Sequence, residues 1–205
     1  MLVNTAGVSP SQASVETILR VDLYGTAMLL EEMRTHIAEG GVGVTISSQS
    51  GFRMPQLTAE EDALLAETPA EELLSLEMLQ PGQIRDTLHA YQLAKRCNEK
   101  RVMAEAVHWG ERGARINAIA PGIIVTPLAI DEFHGERGAF YQNMFAKCPA
   151  GRPGTADEVA NVAGTADELE GRIYYRFHIF DGRRRNSIVF LRTAETGSGI
   201  NSDEI

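Results

Sequence analysis

The sequence predicts an α/β fold built on a parallel sheet, and two features of the chain support this prediction. Amphipathic helical segments alternate with short β-branched segments along residues 1–163. The short segments are bounded by glycine, serine or proline, as buried strands are where they leave a sheet. A single domain is expected, because 205 residues with 43% hydrophobic content can bury one sizeable core.

The first part of the chain predicts a strand, a long helix and a second strand. Leu2-Val3 is a short apolar run that leads directly into Asn4, as though the chain began inside a strand. Apolar residues then recur at helical spacing from about Val15 to Ile37, and Gly40-Gly41 ends this pattern. The segment Val42–Ile46 is rich in β-branched residues and bounded by glycine and serine, which predicts a buried strand.

Residues 54–88 differ in sequence pattern from the segments around them and are interpreted as an insertion of two short acidic helices. A capping box, in which a threonine is followed three residues later by a glutamate, predicts the start of each helix. The two boxes are Thr58 with Glu61 and Thr68 with Glu71. Pro69 is expected at the first helical position of the second helix, where its missing N–H costs nothing.

The second part of the chain continues the alternation of helix and strand. A long helix is predicted over roughly Ala90 to Trp109, and a strand over Arg115–Ala120. A third capping box, Thr155 with Glu158, starts another helix. The sequence pattern of alternating helices and strands stops after Ala163. This residue therefore marks the expected end of the regular domain.

Composition limits the setting and the partners. A net charge of -9 disfavours nucleic acid as a partner, because phosphate backbones are repelled by a negative surface. A basic run at 183–185 resembles a phosphate-binding patch, but an accidental basic run is the stronger interpretation. No segment resembles a signal peptide or a membrane span, and two cysteines are too few to staple a secreted fold. A cytoplasmic protein without membrane attachment is expected.

Tyr91 and Lys95 are four residues apart on a predicted helix, so both side chains project from one face. Free tyrosine has a pKa of about 10, and a nearby ammonium group is expected to lower that pKa by stabilising the phenolate. The pair is therefore suited to proton transfer. By itself, a tyrosine and a lysine on one helical face more often reflect ordinary surface packing.

Four ordered motifs change that assessment. They are Asn4-Thr5-Ala6-Gly7 after a strand, Ser48 after the next strand, Tyr91 with Lys95, and Asn117–Gly122 running to Thr126. In this order the chain, over roughly residues 2 to 163, resembles the short-chain dehydrogenase/reductase family. The resemblance implies a Rossmann-like, doubly wound parallel sheet and an oxidoreductase that interconverts an alcohol and a ketone with NAD or NADP.

The resemblance also implies roles for individual residues. Ser48 would hydrogen-bond the substrate oxygen, Tyr91 would transfer a proton to it, and Lys95 would bind the nicotinamide ribose. Ser47 and Ser50 are alternatives by position, but the family places its serine where Ser48 stands. No metal is implied, and the family's usual state is a homo-oligomer. The further residues expected to border the cofactor are Asn4, Ala6 and Gly7 on the adenosine side, and Pro121, Gly122, Ile124 and Thr126 on the nicotinamide side.

Asp22 stands where the family usually has an asparagine that holds a water for proton relay. An aspartate can serve if the role is played through the main-chain carbonyl at a helix distortion, although its charge would alter local proton affinities. A solvated helix aspartate is an equally good interpretation. Asp22 is included among the candidate catalytic residues on this basis.

The long separation of Ser48 from Tyr91 resembles the bacterial 3-alpha-hydroxysteroid dehydrogenase and carbonyl reductase branch. The apolar residues of the insertion could form a lid over a hydrophobic substrate, but docking of the helices on the body is the favoured interpretation. These residues are Leu64, Leu65, Leu73, Leu74 and Met78.

Both ends of the chain depart from the family pattern. The glycine-rich turn that cradles the pyrophosphate is missing, so the sheet is expected to lack its first three strands and to bind the dinucleotide weakly or not at all. Residues 1–163 are thus interpreted as an incomplete domain and residues 164–205 as an aberrant tail. Back-translation from Ile173 onward with the reading frame shifted by one base permits the family's C-terminal strand, which favours a frameshift near Ala163 or Gly164. A duplication of Gly154–Glu158 at Gly164–Glu168 is the rival explanation.

Three functions follow from these observations. The first is an NAD(P)-dependent oxidoreductase that acts on a small alcohol or ketone. The second is an inactive fragment of such an enzyme, which keeps the catalytic residues but cannot close a dinucleotide site. The third, a nucleic-acid-binding module that uses the basic tail, is disfavoured.

Overall fold

The computed structural model describes residues 1–135, 138–148, 151–168, 174–177 and 188–191. Strands β1, β2, β3, β6 and β7 form one sheet in that order, and β4 and β5 form a separate parallel pair. The strands are β1 (Leu2–Asn4), β2 (Val42–Ile46), β3 (Arg115–Ile119), β4 (Ile124–Val125), β5 (Gly154–Thr155), β6 (Tyr174–Phe177) and β7 (Ile188–Leu191).

The main sheet is parallel from β1 to β6, and β7 runs antiparallel to β6. Asn4 is in register with Thr45, and Thr45 with Ala118, so the first three strands end at the same edge. The parallel α/β sheet predicted from the sequence is confirmed. Its carboxyl edge is where ligands bind in open sheets of this kind.

Eight α-helices occur in the described ranges, together with one π-helical segment and two short 3₁₀ turns. The α-helices are α1 (Val15–Ile18), α2 (Thr26–His36), α3 (Ala59–Glu67), α4 (Ala70–Leu73), α5 (Thr87–Glu111), α6 (Pro127–His134), α7 (Gly138–Ala146) and α8 (Ala156–Glu168). The π-helical segment is Leu19–Gly25, and the 3₁₀ turns are Gln49–Phe52 and Glu77–Leu79.

Helices cover both faces of the sheet. On one face α2 and α5 pack Leu30 and Trp109 against Ile116 of β3. On the other face α8 packs Val162 against a cluster that contains Val44 of β2. Both faces of β2 and β3 are therefore buried, which agrees with the largely apolar sequences of these two strands. This arrangement is the doubly wound architecture that the sequence predicts.

The insertion helices dock on the body, as the favoured interpretation predicts. Leu65 of α3 and Leu73 of α4 are fully buried in the cluster that α5 and the π-helical segment also form, and Leu74 and Met78 pack against it. Leu64 is 46% exposed. None of these five side chains lines either of the two cavities at the carboxyl edge of the sheet, so they form no lid there.

A buried arginine joins the insertion to the body. The Arg101 side chain on α5 is 1% exposed and forms an ion pair with Glu31 of α2. Its guanidinium also donates a 2.6 Å hydrogen bond to the carbonyl of Thr68, at the end of α3. The same Glu31 carboxylate accepts a 3.0 Å hydrogen bond from the backbone N–H of Ala70, the first residue of α4.

These contacts overturn one prediction. The expected capping box of Thr68 with Glu71 is absent: Thr68 ends α3 as its C-cap, and Pro69 precedes α4 without a side-chain cap. Glu31, which is distant in sequence, takes the place of the cap for α4. The other two capping boxes, of Thr58 and Thr155 with glutamates three residues on, are formed reciprocally.

The remaining differences concern element boundaries. The single long helix predicted from Val15 to Ile37 is interrupted by the π-helical segment at Leu19–Gly25. Helix α8 continues past Ala163 to Glu168, so the change in sequence pattern after Ala163 does not end the helix. The basic run at 183–185 lies outside the described residues.

Candidate active site

The candidate site lies at the carboxyl edge of the sheet, where β2 runs into a short turn. Ser48 has extended backbone angles and caps the 3₁₀ turn Gln49–Phe52, and its Oγ accepts a 3.2 Å hydrogen bond from the Ser50 N–H. The backbone N–H of Gln49 donates to the Pro121 carbonyl at 3.0 Å, which ties this turn to the segment after β3. Strand ends thus bring two of the predicted motifs together.

The turn packs directly on α5. Ser47 is buried, and its Oγ donates a 2.9 Å hydrogen bond to the backbone carbonyl of Lys95. A Cβ atom added at Gly51 would lie 2.8 Å from the backbone nitrogen of Arg96. Glycine is therefore needed for this approach, and Ser48 is held at a fixed height along α5. Of the three candidate serines, Ser47 has a structural role.

Tyr91 lies on α5 where the turn meets the helix. The Lys95 Nζ is 5.3 Å from the centre of the Tyr91 ring, within the range of a cation–π contact. Burial raises the pKa of Tyr91 to about 12, a hydrogen bond with Ser48 lowers it, and the charges of Asp22 and Glu132 raise it further. The lowered pKa expected from the sequence is therefore wrong for this structure, because burial outweighs the hydrogen bond with Ser48.

Lys95 is 5% exposed and points toward the end of β2. Its Nζ donates a 3.3 Å hydrogen bond to the carbonyl of Ile46. Burial lowers the pKa of Lys95, and the negative charges of Asp22 and Glu99 oppose that shift. The two carboxylates thus stabilise the charged form of Lys95, whose side chain is largely shielded from solvent.

Asp22 is fully buried in the π-helical segment, so the solvated alternative that the sequence left open is wrong. Its Oδ1 accepts a 2.8 Å hydrogen bond from the Val8 N–H, whereas Oδ2 has no hydrogen-bond partner among the described residues. Burial raises the pKa of Asp22, while Lys95 and the Val8 N–H lower it. A Cβ atom added at Gly7 would lie 3.1 Å from Asp22 Oδ1 and 3.5 Å from Lys95 Nζ.

The predicted cofactor residues after β1 divide into structural and exposed ones. Asn4 is buried and donates through Nδ2 to Thr26 Oγ1 at 3.4 Å, and its Oδ1 accepts a 3.2 Å hydrogen bond from the Ala6 N–H. Asn4 therefore shapes the turn after β1. Ala6 and Gly7 are exposed on that turn, and Gly7 lies next to Asp22 and Lys95.

A cavity of about 410 Å³ brings together five of the eleven predicted site residues. Ser48, Tyr91, Gly122, Ile124 and Thr126 all line it, with Ser50 beside them. Lys95, which lies against the Tyr91 ring, and Asp22 do not line the cavity. Pro121 is buried and contributes its carbonyl to the Gln49 N–H. A second cavity of about 460 Å³ adjoins the first and shares Gly122 and Ile124 with it.

Sequence reasoning missed the residues on the far wall of the first cavity. Glu132 and Phe133 of α6 and Tyr141 of α7 line it, as does Ser9 from the loop after β1. Glu132 Oε1 accepts 2.7 Å hydrogen bonds from the hydroxyls of Ser9 and Ser11. No local sequence pattern predicts these contacts, because Glu132 and its serine partners are more than a hundred residues apart in the sequence.

The residues around Lys95 fit the nicotinamide half of a dinucleotide. The ammonium group has one hydrogen-bond partner among the described residues, the Ile46 carbonyl, and so retains donors for a ribose. The absent Cβ of Gly7 leaves space beside Lys95 and Asp22. For the pyrophosphate, the strand-to-helix connections within residues 1–135 each contain no more than one glycine, so none of them forms a glycine-rich phosphate turn.

The described residues form neither a metal centre nor a membrane span. Within them, no group of three or more histidine, cysteine, aspartate or glutamate side chains is arranged to hold a metal ion. In the same ranges, no helix combines the length and the apolar character that crossing a membrane requires.

Comparison with known proteins decides the family. A family model described as enoyl-(acyl carrier protein) reductase matches residues 56–165, more than half of the chain. A short-chain dehydrogenase/reductase from Alternaria brassicicola, bsc3, is 36% identical over 163 residues. The chain belongs to the short-chain dehydrogenase/reductase family. That match covers 79% of this chain and 59% of the Alternaria protein.

Other members of the short-chain dehydrogenase/reductase family agree with this assignment. A 3-alpha-hydroxysteroid dehydrogenase/carbonyl reductase from Comamonas testosteroni is 28% identical, over 78% of this chain and 62% of that protein. The chain thus spans about three fifths of the length of these two curated relatives.

The fold agrees with solved structures of the same family. The 3-alpha-hydroxysteroid dehydrogenase from Pseudomonas sp. B-0831, crystallised with NADH, superposes with a TM-score of 0.65 at 24% identity. The superposition covers 81% of this chain and 64% of that protein. The Rossmann-like fold expected from the motifs is therefore confirmed.

Proposed function

We propose that this chain carries the catalytic part of an NAD(P)-dependent oxidoreductase that interconverts an alcohol and a ketone. The observation that supports the proposal is the convergence of Ser48 and Tyr91 on one cavity, with the Lys95 ammonium behind the Tyr91 ring. Two chain segments, the turn after β2 and helix α5, supply these groups, and the insertion separates the two segments in the sequence. Their meeting at the carboxyl edge of a parallel sheet is what the proposed chemistry requires.

In ketone reduction, the Tyr91 phenol donates its proton to the carbonyl oxygen, and the Ser48 hydroxyl donates a hydrogen bond to the same oxygen. A Tyr91 pKa of about 12 keeps the phenol protonated at neutral pH, so its proton is present to be donated. Transfer becomes more efficient as this pKa falls toward the working pH. In alcohol oxidation the phenolate must accept the proton, so this direction is favoured at alkaline pH. The dinucleotide, when bound, supplies or accepts the hydride.

Lys95 and Asp22 support this proton transfer from behind the tyrosine. Lys95 would hold the nicotinamide ribose, and its positive charge favours the phenolate of Tyr91. Asp22 raises the pKa of Lys95 and so helps to keep it charged in a buried position. We assign Asp22 as a positioning residue, and its location in the π-helical segment agrees with a role at a helix distortion. Asn4, Ala6 and Gly7 would border the adenosine side, and Pro121, Gly122, Ile124 and Thr126 the nicotinamide.

The test is Tyr91→Phe assayed with NADH and NADPH against a panel of ketones. Removal of a general acid lowers the rate by about 10²–10⁴-fold, so a loss of at least a hundredfold is expected. Tyr24→Phe is the matched control, because Tyr24 lies in the π-helical segment and does not line the cavity. Equal rates for the Tyr91→Phe variant and the unaltered chain would contradict the proposal.

The competing function is an inactive fragment that keeps the site residues. It is favoured by the absence of a glycine-rich phosphate turn from the described strand-to-helix connections. Calorimetric titration with NADH and NADPH separates the two functions: no detectable binding, together with no turnover of any ketone, would establish the fragment.

The proposed partners follow from the same site. A small alcohol or ketone is the substrate, and a homo-oligomer is the expected assembly by analogy with the family. Cys97 and Cys148 are both free thiols, which supports a reducing, cytoplasmic setting.

A further inference from the structure

Glu132 is one of two charged side chains, among the described residues, that line the cavity of Tyr91. The other is Arg53, whose Nη2 donates a 3.1 Å hydrogen bond to the Gln49 side chain. Glu132 therefore contributes a carboxylate to a cavity wall that otherwise consists mostly of apolar and neutral polar groups. Lining a small cavity with a carboxylate restricts the chemistry of whatever enters it.

The carboxylate of Glu132 is held in a fixed orientation. Its Oε1 accepts 2.7 Å hydrogen bonds from the hydroxyls of Ser9 and Ser11, which reach across from the loop after β1. Both of these bonds go to the same oxygen, which leaves Oε2 as the acceptor for a ligand. A carboxylate that is anchored through one oxygen is preorganised to accept a hydrogen bond at the other.

The surroundings of Glu132 are aromatic. Phe133 stacks on Tyr141 with ring centres 6.1 Å apart, and Phe140 meets the edge of Tyr141 at 5.5 Å. All three rings line the same cavity. Such walls favour a flat apolar ring system, because burial of apolar area is the main source of affinity there.

We infer that Glu132 selects ketones and alcohols whose ring system carries an O–H or N–H donor away from the reacting oxygen, and that it rejects anionic ones. This inference rests on the proposed function, because it assumes that the reacting oxygen lies at Ser48 and Tyr91. Both Glu132 and Tyr91 line the one cavity of about 410 Å³. A ligand that fills this cavity would contact both groups.

The experiment compares ring ketones that differ in one substituent. Calorimetry would measure the dissociation constants of 1-tetralone and of its 6-hydroxymethyl, 6-methoxymethyl, 6-aminomethyl and 6-carboxyl derivatives, with the unaltered chain and with Glu132→Gln. We expect the hydroxymethyl compound to bind about tenfold more tightly than the methoxymethyl compound, as a hydrogen bond to a charged group predicts. In Glu132→Gln this preference should fall to about threefold or less, because the amide is uncharged.

The remaining ligands separate the sources of the donor. Tighter binding of the aminomethyl than the hydroxymethyl compound would identify an ammonium as the preferred donor, and the reverse order a hydroxyl; either supports the inference. The carboxyl compound should bind more weakly than 1-tetralone to the unaltered chain, and Glu132→Gln should relieve this weakness. Equal binding of all five compounds would overturn the inference.

A purely structural role for Glu132 predicts another pattern. If the carboxylate only clasps α6 to the loop after β1, then Ser11→Ala and Glu132→Gln should weaken all five ligands alike, and this would overturn the inference. Under the inference, Ser11→Ala keeps the preference for the hydroxymethyl compound. Absence of binding by 1-tetralone and all its derivatives would overturn the proposed ketone site as well, whereas 1-tetralone binding without any preference would overturn only the role of Glu132.

Discussion

At Tyr91, burial and two carboxylates act in the same direction on the proton of the phenol. Desolvation is the largest cause of its raised pKa, and the charges of Asp22 and Glu132 add to it. The hydrogen bond with Ser48 opposes them, and so would any positive charge that a ligand brings to the cavity. The acid strength of this residue is therefore set by what surrounds it, and it can be adjusted by single substitutions.

Replacing Asp22 with asparagine should lower the pKa of Tyr91. The variant keeps an acceptor for the Val8 N–H but removes the negative charge that disfavours the phenolate. Ultraviolet difference titration of tyrosinate, with Tyr91→Phe as the blank for the other four tyrosines, would follow this one group. In an active preparation, the pH at which alcohol oxidation reaches half its maximal rate should fall in the same direction.

The control for this titration is Glu16→Gln. Glu16 is an exposed carboxylate paired with Arg20 on the neighbouring turn, so its removal also takes away one negative charge. The Tyr91 midpoint should not move in that variant, because exposed charges at a distance are screened. A Tyr91 midpoint that rises in Asp22→Asn would contradict the electrostatic effect assigned to Asp22.

At the scale of elements, the 3₁₀ turn after β2 and helix α5 act as one unit. The turn carries Ser48, the helix carries Tyr91 and Lys95, and contacts of Ser47 and Gly51 with the α5 backbone fix their relative height. The proposed catalytic groups are thus placed by backbone packing and do not depend on long flexible side chains. A small displacement between these two elements should affect catalysis more than stability.

Gly51→Ala tests this coupling. The added Cβ would meet the backbone of α5 at 2.8 Å, so the turn must move away from the helix. Ketone reduction should fall by roughly tenfold to a hundredfold, since misplacement by about 1 Å has effects of this size. The measurement is kcat/KM together with a thermal melt, and full activity in a folded variant would show that the approach at Gly51 is dispensable.

At the scale of the whole molecule, the sheet is held between α2 with α5 on one face and α8 on the other. Trp109 at the end of α5 is fully buried, and its Nε1 donates to the Leu30 carbonyl at 3.4 Å. The indole lies on Gly43 of β2, where an added Cβ would be 2.7 Å from the ring. This contact fixes how closely the helix layer approaches the sheet.

Gly43→Ala should therefore destabilise the fold. Overfilling a packed core costs roughly 1–3 kcal/mol, and the loss should appear as a lower urea midpoint with an unchanged slope. Gly82→Ala is the matched control, because a Cβ at Gly82 would meet nothing within 4 Å. That variant should stay within about 0.5 kcal/mol of the unaltered chain. Similar midpoints for both variants would mean that the indole can shift without cost.

Much of the fold was predictable because its signals are local. The strands β2 and β3 show their β-branched runs, and the capping boxes at Thr58 and Thr155 depend on residues three positions apart. The box at Thr68 failed because a long-range ion pair of Glu31 with Arg101 decides how α4 begins. The π-helical segment was missed for a related reason, since its apolar residues keep helical spacing.

The site was predictable to the extent that the family's motifs mark it. Ser48, Tyr91 and Lys95 carry recognisable spacing, and the structure brings them to one place. The raised pKa of Tyr91 and the burial of Asp22 could not be predicted, because both depend on how the loop after β1 and helix α6 close around them. The role of Glu132 could not be predicted for the same reason, because its serine partners lie more than a hundred residues earlier in the sequence.

The burial of the Arg101 guanidinium limits how residues can be deleted from this protein. It is almost wholly enclosed, and its neutralisation depends on Glu31 together with carbonyls supplied by the inserted helices. Excising residues 54–88 would remove the carbonyls of Leu65 and Thr68, two of the three acceptors that Arg101 has among the described residues. The cation would then face solvent or an emptied core, at a cost of several kcal/mol. A minimised variant should replace Arg101 and Glu31 together with apolar residues of similar volume, so that neither charge is orphaned.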